Sequence, residues 1–413
     1  MHRFSLRHTM PPLLTTTLLL LLLLSTSLLT TAQHTYPPPG ACTGNCTGSV
    51  HDPSVVRRAD GTYFRFTTNG RINIATAPSI AGPWTYQGCA LPHGSRIALP
   101  GRDDLWAPDV LQVDGVFFLT YSVSAIGSRH SDIGVATSET MEAGTWTDHG
   151  SIGVPDGKGK WNRIDSNLLQ LAPTQPATVY LTWGSFWTGI HQTQMLNPPL
   201  RVLNPNTSVH LEQNTTVRPQ GRPKGASEGS YQFRWTLAGD GGTWIYLFFS
   251  SGGCCNIPPH LAPPGEEYKI MVCRSLTPTG PFFDREGRDC VSDNGGTLVL
   301  GSHGDVFAPG GQGVMFDEGL GGVVVYYHYV RPSVGYGYGD FVFGWNGLDF
   351  GSGWPVVVAL EDSYAGTESA SAKTAGNGTS GAAETGSEGV VATESSRLGA
   401  TSTLTSGGAR GRG

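Results

Sequence analysis

Charged residues are scarce in this 413-residue sequence: Asp, Glu, Lys and Arg together make up 14%. The formal net charge is −6, and the basic residues are scattered rather than gathered into a stripe or run. That pattern excludes nucleic acid as an expected partner. Helix signals are also few, and no Cys/His spacing suits zinc, so no structural metal is expected. Beyond about Glu361 large apolar residues all but vanish, leaving Ser, Thr, Gly and Ala. Such a stretch buries too little surface to offset its ordering entropy, so the tail 361–413 is expected to be disordered. No hydrophobic segment closes it, so no lipid-anchor signal is expected.

The other end is a targeting segment. His2, Arg3, Arg7 and His8 precede a leucine run over 13–24, and Thr30, Thr31 and Ala32 supply small residues for cleavage. A membrane anchor is the alternative, since the apolar stretch approaches spanning length by residue 29. Ser25, Thr26 and Ser27 interrupt it, and the small-residue exit favours a cleaved signal peptide over 1–32. The chain is thus expected to be secreted, with no membrane partner, a short linker over 33–40 and a folded part over 41–360.

An extracellular address agrees with four Asn-x-Ser/Thr sites, at Asn45, Asn206, Asn214 and Asn377. It also agrees with seven cysteines. Cys42/Cys46 and Cys273/Cys290 are plausible local pairs. Cys254 and Cys255 form either a vicinal bridge or two separate thiols, and the odd count leaves at least one thiol over.

Glycine is abundant, at 58 residues, and aromatics reach 10%, so turns and half-buried strands dominate. Five segments join a turn to an aromatic, β-rich run: "ADGTYFRFTT", "VDGVFFLTYSVS", "QPATVYLTWGSFW", "DGGTWIYLFFSS" and "LGGVVVYYHYV". Radial repetition of short antiparallel strands is the propeller pattern, and five repeats predict an all-β, five-bladed β-propeller.

Ahead of these runs lie "HDPSVV", "APDVLQV", "IDSNLLQL", "SEGSYQF" and "PGGQGVMF", expected to be the innermost strands. Four carry an acid near their start: Asp52, Asp109, Asp165 and Glu228. Asp52 to Asp165 is 165 − 52 = 113 residues, about two blades, and Asp165 to Glu228 is 228 − 165 = 63, about one. That spacing predicts equivalent heights around one channel mouth, where collected carboxylates repel unless their different pKa values serve chemistry. Taken singly, Asp109 reads best as a strand-start turn residue.

The motifs "HDPSVV", "WAPDV", "NRIDSN", "SEGSY", "SGGCC" and "GTLVLGSHG" resemble glycoside hydrolase family 43, most of all its fungal endo-1,5-α-L-arabinanases. The resemblance runs in order from about Cys42 to Val358. It implies an inverting glycosidase acting on α-1,5-linked L-arabinan of plant cell-wall pectin. By position, Asp52 matches the general base and Glu228 the general acid. Asp165 matches a third carboxylate that raises the acid's pKa and orients it. Asn162, Arg163, Ile164, Ser185, Phe186 and Trp187 match substrate-contacting stretches. Trp106 is either a further sugar platform or a core tryptophan between blades.

Two departures from the family pattern stand out. "PGGQG" over 309–313 lacks the histidine that approaches a central ion in bacterial relatives, so no cofactor is expected to be required, and a central calcium or sodium ion is left as the weaker alternative. His303 and His328 are read as structural. Arg163 and Ser166 border the cleft and could shift chain-length preference. The expected partner is the polysaccharide alone, bound by a monomer. Competing readings are an exo-acting arabinofuranosidase or xylosidase, a retaining fructan hydrolase, and a carbohydrate-binding propeller without catalysis. The fructan group would show Asn-Asp-Pro and Arg-Asp-Pro, which this chain lacks.

Overall fold

Asp-Gly pairs between hydrophobic runs are hairpin signals, and the chain uses them so. Asp114 (φ +51°) and Gly115 (φ +84°) are both left-handed and join two strands that end opposite each other at Val113 and Val116. This is the two-residue turn whose twist matches the flanking strands. A computed structural model describes residues 35–171, 177–216, 227–239 and 241–359. The expected signal peptide and the expected disordered tail lie outside the described residues, as does Asn377.

Among the described residues, twenty strands form five antiparallel sheets of four, each in simple up-and-down order. Blade 1 holds β1 (His51–Arg57), β2 (Tyr63–Thr68), β3 (Asn73–Ala77) and β4 (Thr85–Cys89). Blade 2 holds β5 (Trp106–Val113), β6 (Val116–Val123), β7 (Asp132–Ser138) and β8 (Thr147–Ser151). Blade 3 holds β9 (Asn167–Gln170), β10 (Val179–Trp183), β11 (Ile190–Gln194) and β12 (Val209–Glu212). Blade 4 holds β13 (Ser227–Thr236), β14 (Thr243–Ser251), β15 (Lys269–Ser275) and β16 (Thr297–Leu300). Blade 5 holds β17 (Phe307–Asp317), β18 (Gly322–Val330), β19 (Phe341–Asp349) and β20 (Val356–Val358). The first strands, β1, β5, β9, β13 and β17, neighbour one another in a closed ring. The expected five-bladed propeller and its inner strands are therefore what the chain forms.

The hydrophobic core is divided among the five blade interfaces. Between blades 1 and 2 it gathers Phe64, Phe66, Ile74, Phe117, Leu119 and Trp146, and four comparable clusters fill the remaining interfaces. Each fully buried aromatic there contributes about 1.5–3 kcal/mol. Between blades 5 and 1 an arginine joins the packing. Arg65 is 3% exposed, with its guanidinium 4.6 Å from the Trp84 ring centroid and 4.9 Å from that of Phe343. Burial lowers its pKa to about 9.

A polar ring repeats inside the propeller. Ser54, Asp109 and Asn167 each accept a backbone N–H from the next inner strand, of Val110 (3.2 Å), Leu168 (2.8 Å) and Gln232 (2.8 Å). In the other two blades a hydroxyl from the second strand takes the place. Ser250 accepts from Gly311 N at 3.0 Å, and the Tyr326 hydroxyl accepts from Val55 N. Buried backbone donors need such partners.

The segment ahead of β1 closes the ring. Gly40 N donates to Trp345 O at 2.8 Å, Phe343 N donates to Cys46 O at 2.9 Å, and Thr47 bridges Val342. Three disulfides are present: Cys42–Cys46, Cys254–Cys255 and Cys273–Cys290. Cys89 is the free thiol. Among the Asn-x-Ser/Thr sequences, Asn45 and Asn206 are exposed. Asn214 turns its amide inward, its Nδ2 donating to Ser251 Oγ at 3.2 Å.

Candidate active site

Every inner strand starts with the same irregularity. Asp52, Ala107, Asp165, Gly229 and Ala308 all have positive φ, between +43° and +60°. In β1, β5, β13 and β17 this residue sits in a bulge, where the register to the second strand shifts. A left-handed residue costs a non-glycine side chain about 1–2 kcal/mol, and bulges re-aim side chains at barrel rims. Asp52 and Asp165 are thus true equivalents across two blades. Asp109 lies two positions farther along, at the height of Ser54 and Asn167. The expected equivalence of Asp109 is corrected by the structure: it is an inter-blade clasp, 6% exposed, and accepts from Leu168 N and Asn167 Nδ2. Glu228 lies one position earlier, at the height of His51.

Two donors hold the Asp52 carboxylate: His51 Nδ1 is 2.8 Å from its Oδ2, and Thr68 Oγ1 donates to the same oxygen at 2.7 Å. Burial alone would raise its pKa. The His51 charge and hydrogen bond, with help from Thr68, outweigh burial and hold the carboxyl below its ordinary value. Thr68 also accepts the Ala107 N–H at 2.7 Å, tying blade 1 to the bulge of blade 2. Ser122, the matching hydroxyl of blade 2, accepts from Asp165 N at 3.1 Å.

The other two carboxyls go the opposite way. Asp165 is raised well above its ordinary value by burial, then by the charges of Glu228 and Asp52, with Gly229 N–H at 3.2 Å opposing in part. Glu228 is raised by burial, against hydrogen bonds from Ser185 Oγ at 2.5 Å and the Tyr268 hydroxyl. Both members rise together, so the proton belongs to the pair rather than to one carboxyl. The cluster therefore sets one readily ionised carboxylate beside a pair that retains a proton.

The remaining expected residues occupy varied surroundings. Phe186 and Trp187 are half-buried, both with positive φ, and Arg129 stacks 5.3 Å from the Trp187 ring. Trp106 is half-buried at the start of β5. Ile164 is buried, and Asn162 is buried with its amide oxygen accepting from Ser131 Oγ at 2.6 Å. Arg163 faces Asp132 at 3.7 Å. Ser166 lines a small axial cavity of about 40 Å³, to which all five inner strands contribute and which has room for water.

Sequence reasoning missed Thr68, Tyr268, Ser250, Gln312 and the site position of His328. Gln312 accepts from Ser250 Oγ at 2.7 Å and donates to Gly229 O at 2.6 Å, holding the backbone beside Glu228. His328 is fully buried, and its Nδ1 accepts the Asp52 backbone N–H at 3.0 Å. A β-carbon on Gly311 would meet both Asp52 Oδ1 and the His328 ring at 2.6 Å, so His328 fills the space of the missing side chain in "PGGQG". His303 bonds the Gly301 carbonyl at 2.9 Å and packs on Tyr36.

Direct metal ligation fits these residues poorly. Burial lowers the His328 pKa well below its ordinary value, and its Nδ1 lone pair is committed to Asp52 N. In that neutral tautomer Nε2 carries the proton and offers no lone pair. Cys254, near His51 and His328, is disulfide-bonded.

The model of glycosyl hydrolases family 43 matches residues 46–346. The chain belongs to that family. It is 49% identical over 326 residues to arabinan endo-1,5-alpha-L-arabinosidase A of Aspergillus niger, covering 78% of this chain and 95% of that protein. The Aspergillus aculeatus enzyme of the same name matches at the same identity and coverage. Among solved structures, the Cellvibrio cellulosa alpha-L-arabinanase complexed with arabinohexaose aligns with a TM-score of 0.63 at 26% identity. It covers 77% of this chain and 97% of that one. An exo-1,5-alpha-L-arabinanase from a bovine ruminal metagenomic library gives the same TM-score and identity, over 76% of this chain and 99% of that one.

Proposed function

We propose that this glycosidase is an exported endo-1,5-α-L-arabinanase that inverts configuration, with Asp52 as general base and Glu228 as general acid. One observation carries the assignment: in a single cluster Asp52 is held below its ordinary pKa while the Asp165/Glu228 pair is held above it. Inversion requires a carboxylate to activate water and a carboxylic acid to protonate the leaving oxygen. Asp52 is ionised at mildly acidic pH and has no proton to give. The pair keeps a proton under the same conditions, and Ser185 and Tyr268 hold Glu228 in place for its delivery. Asp165 positions Gly229, the neighbour of Glu228, by accepting its backbone N–H.

The arabinan assignment rests on the 49% identity to fungal enzymes named for that substrate and on coverage of nearly their whole length. Exo action is the second reading, because an exo-arabinanase shares the fold closely. Chromatography of the first products from debranched arabinan separates the two. A ladder of oligosaccharides is expected, and arabinose alone would overturn the endo assignment.

A further inference from the structure

The proposed base does not stand on its own strand alone. His51 donates from Nδ1 to Asp52 Oδ2, and its other nitrogen, Nε2, lies 3.5 Å from Cys255 Sγ and 4.0 Å from Cys254 Sγ. The ring is stacked on His328 with centroids 4.0 Å apart, meets Phe341 edge-on at 4.7 Å and lies 5.4 Å from Tyr338. Blade 5 thus confines the faces of the imidazole, and the vicinal disulfide confines its far edge. The disulfide comes from blade 4, in the loop between β14 and β15.

That loop is anchored at its base. Gly253 N donates to Glu266 O at 2.8 Å and Tyr268 N donates to Gly253 O at 3.1 Å. Tyr268 bonds Glu228. One loop therefore touches the proposed base through Cys254–Cys255 and His51, and the proposed acid through Tyr268. Bonding adjacent cysteines closes a small ring that removes the free rotation of both side chains. It also leaves two sulfurs that accept weakly and have no S–H to donate. We infer that the Cys254–Cys255 disulfide is a positioning element for His51, and through it for Asp52. The catalytic residues remain the carboxyls.

The inference rests on the assignment of Asp52 as base, and its consequence is a pH profile. Asp52 faces His51 on its own strand, His328 from β18, Glu228 from β13, and Asp165 ahead of β9. Tyr268 and Tyr338 complete its titratable surroundings. Of these, His51 alone both donates to Asp52 and touches the disulfide. Loosening His51 withdraws a donor from the ionised carboxylate, so the Asp52 pKa rises and the acid limb of kcat/KM moves to higher pH.

The test is the pH profile of the Cys254→Ser/Cys255→Ser double variant on debranched arabinan. The expected result is an acid limb displaced upward by about half to one unit, a loss of up to about tenfold at the low-pH end, with KM little changed. A limb that stays in place while KM rises would make the disulfide a wall for sugar and overturn the inference. Should the variant not fold, the native enzyme is treated with a water-soluble phosphine. The phosphine takes the disulfide to two thiols and is itself oxidised to the phosphine oxide, water supplying the oxygen and the protons. Cys273 and Cys290 are each 0% exposed, Cys46 is buried and Cys42 only partly exposed, whereas Cys255 is exposed, so the vicinal bridge is expected to be reduced first. Alkylation and peptide mapping identify the thiols formed.

Reduction is expected to reproduce the limb shift in native enzyme, to leave the His51→Gln variant unmoved, and to be reversed by reoxidation. An equal shift in the His51→Gln background overturns the route through His51. The base assignment is tested separately. If Asp52→Asn remains active, that assignment fails. If it is inactive and the limb does not move on reduction, only the role of the disulfide fails.

Discussion

His328 Nδ1 accepts the backbone N–H of Asp52 at 3.0 Å, across 276 residues of chain and two neighbouring blades. The bond fixes the left-handed backbone at Asp52 and uses the one acceptor of a buried, neutral ring. It requires position 311 to have no side chain. Gly311→Ala puts a β-carbon 2.6 Å from both Asp52 Oδ1 and the His328 ring, at a φ of +56° that alanine resists. The expected outcome is a loss of kcat by about 10²-fold, because small misplacements of reacting groups are that costly. Far-ultraviolet circular dichroism should remain that of the native protein, and unaltered kcat would refute the packing argument.

The same tautomer predicts insensitivity to chelation. With the Nδ1 lone pair of His328 committed and its Nε2 protonated, the ring cannot ligate a cation directly. Dialysis against EDTA should leave hydrolysis within about twofold, on the scale of ordinary surface perturbations rather than loss of a ligand. Abolition by EDTA with recovery on adding calcium would show that the histidine tautomer inferred here is wrong.

Asp109 supplies a stability prediction whose sign follows from burial. Burial raises its pKa to about 7, against 3.8 when unfolded. Between those values the folded chain binds the proton more firmly, so this group's contribution falls as pH rises from about 4 to about 7. The full effect is on the order of 4 kcal/mol. Buried histidines such as His191, lowered to about 3, slope the other way below their unfolded value. They cancel in a comparison with Asp109→Asn, whose side-chain oxygen can still accept from Leu168 N. Denaturant titrations at pH 4 and pH 8 should show the variant gaining on native protein by a few kcal/mol. A difference independent of pH would mean that Asp109 ionises normally.

The blades were legible because a turn followed by alternating aromatic residues has one economical solution, and five such units close a ring. Asp52, Asp165 and Glu228 were legible as chemistry-bearing types near strand starts. What spacing could not resolve was height. The left-handed position that sets it is occupied by Asp, Ala, Asp, Gly and Ala in turn, so no residue type marks it, and Asp109 was placed two positions too high. Thr68, Ser250, Tyr268 and His328 escaped notice for a related reason. They reach the site from the ends of second strands or the start of a third, through register and blade closure, which leave no local pattern. His328 did leave a trace, as a polar residue inside the buried run "YYHYV", without indicating its partner.

Tyr268 offers a test of the acid. Its hydroxyl and that of Ser185 both lower the Glu228 pKa by bonding the ionised form. Tyr268→Phe removes one of these bonds, so Glu228 should hold its proton to higher pH. The basic limb of the pH–rate profile should move up by a few tenths of a unit, as expected for one hydrogen bond among several. Movement of the acid limb instead would link Tyr268 to the base.

The roles of Asp52 and Glu228 are separated by the leaving group. Asp52→Asn and Glu228→Gln should each lower turnover on arabinan by roughly 10²–10⁴ without unfolding the protein. A nitrophenyl arabino-oligosaccharide departs with little protonation, so it should partly rescue Glu228→Gln. It should not rescue Asp52→Asn, because water must still be activated. Inversion leaves room for that water, with the two carboxyls roughly 6.5–9.5 Å apart, and delivers it opposite the leaving oxygen. Proton NMR of the product first formed by native enzyme should therefore show the β-anomer before mutarotation. The α-anomer appearing first would make Asp52 a nucleophile, and rescue of Asp52→Asn by the activated substrate would exchange the two roles.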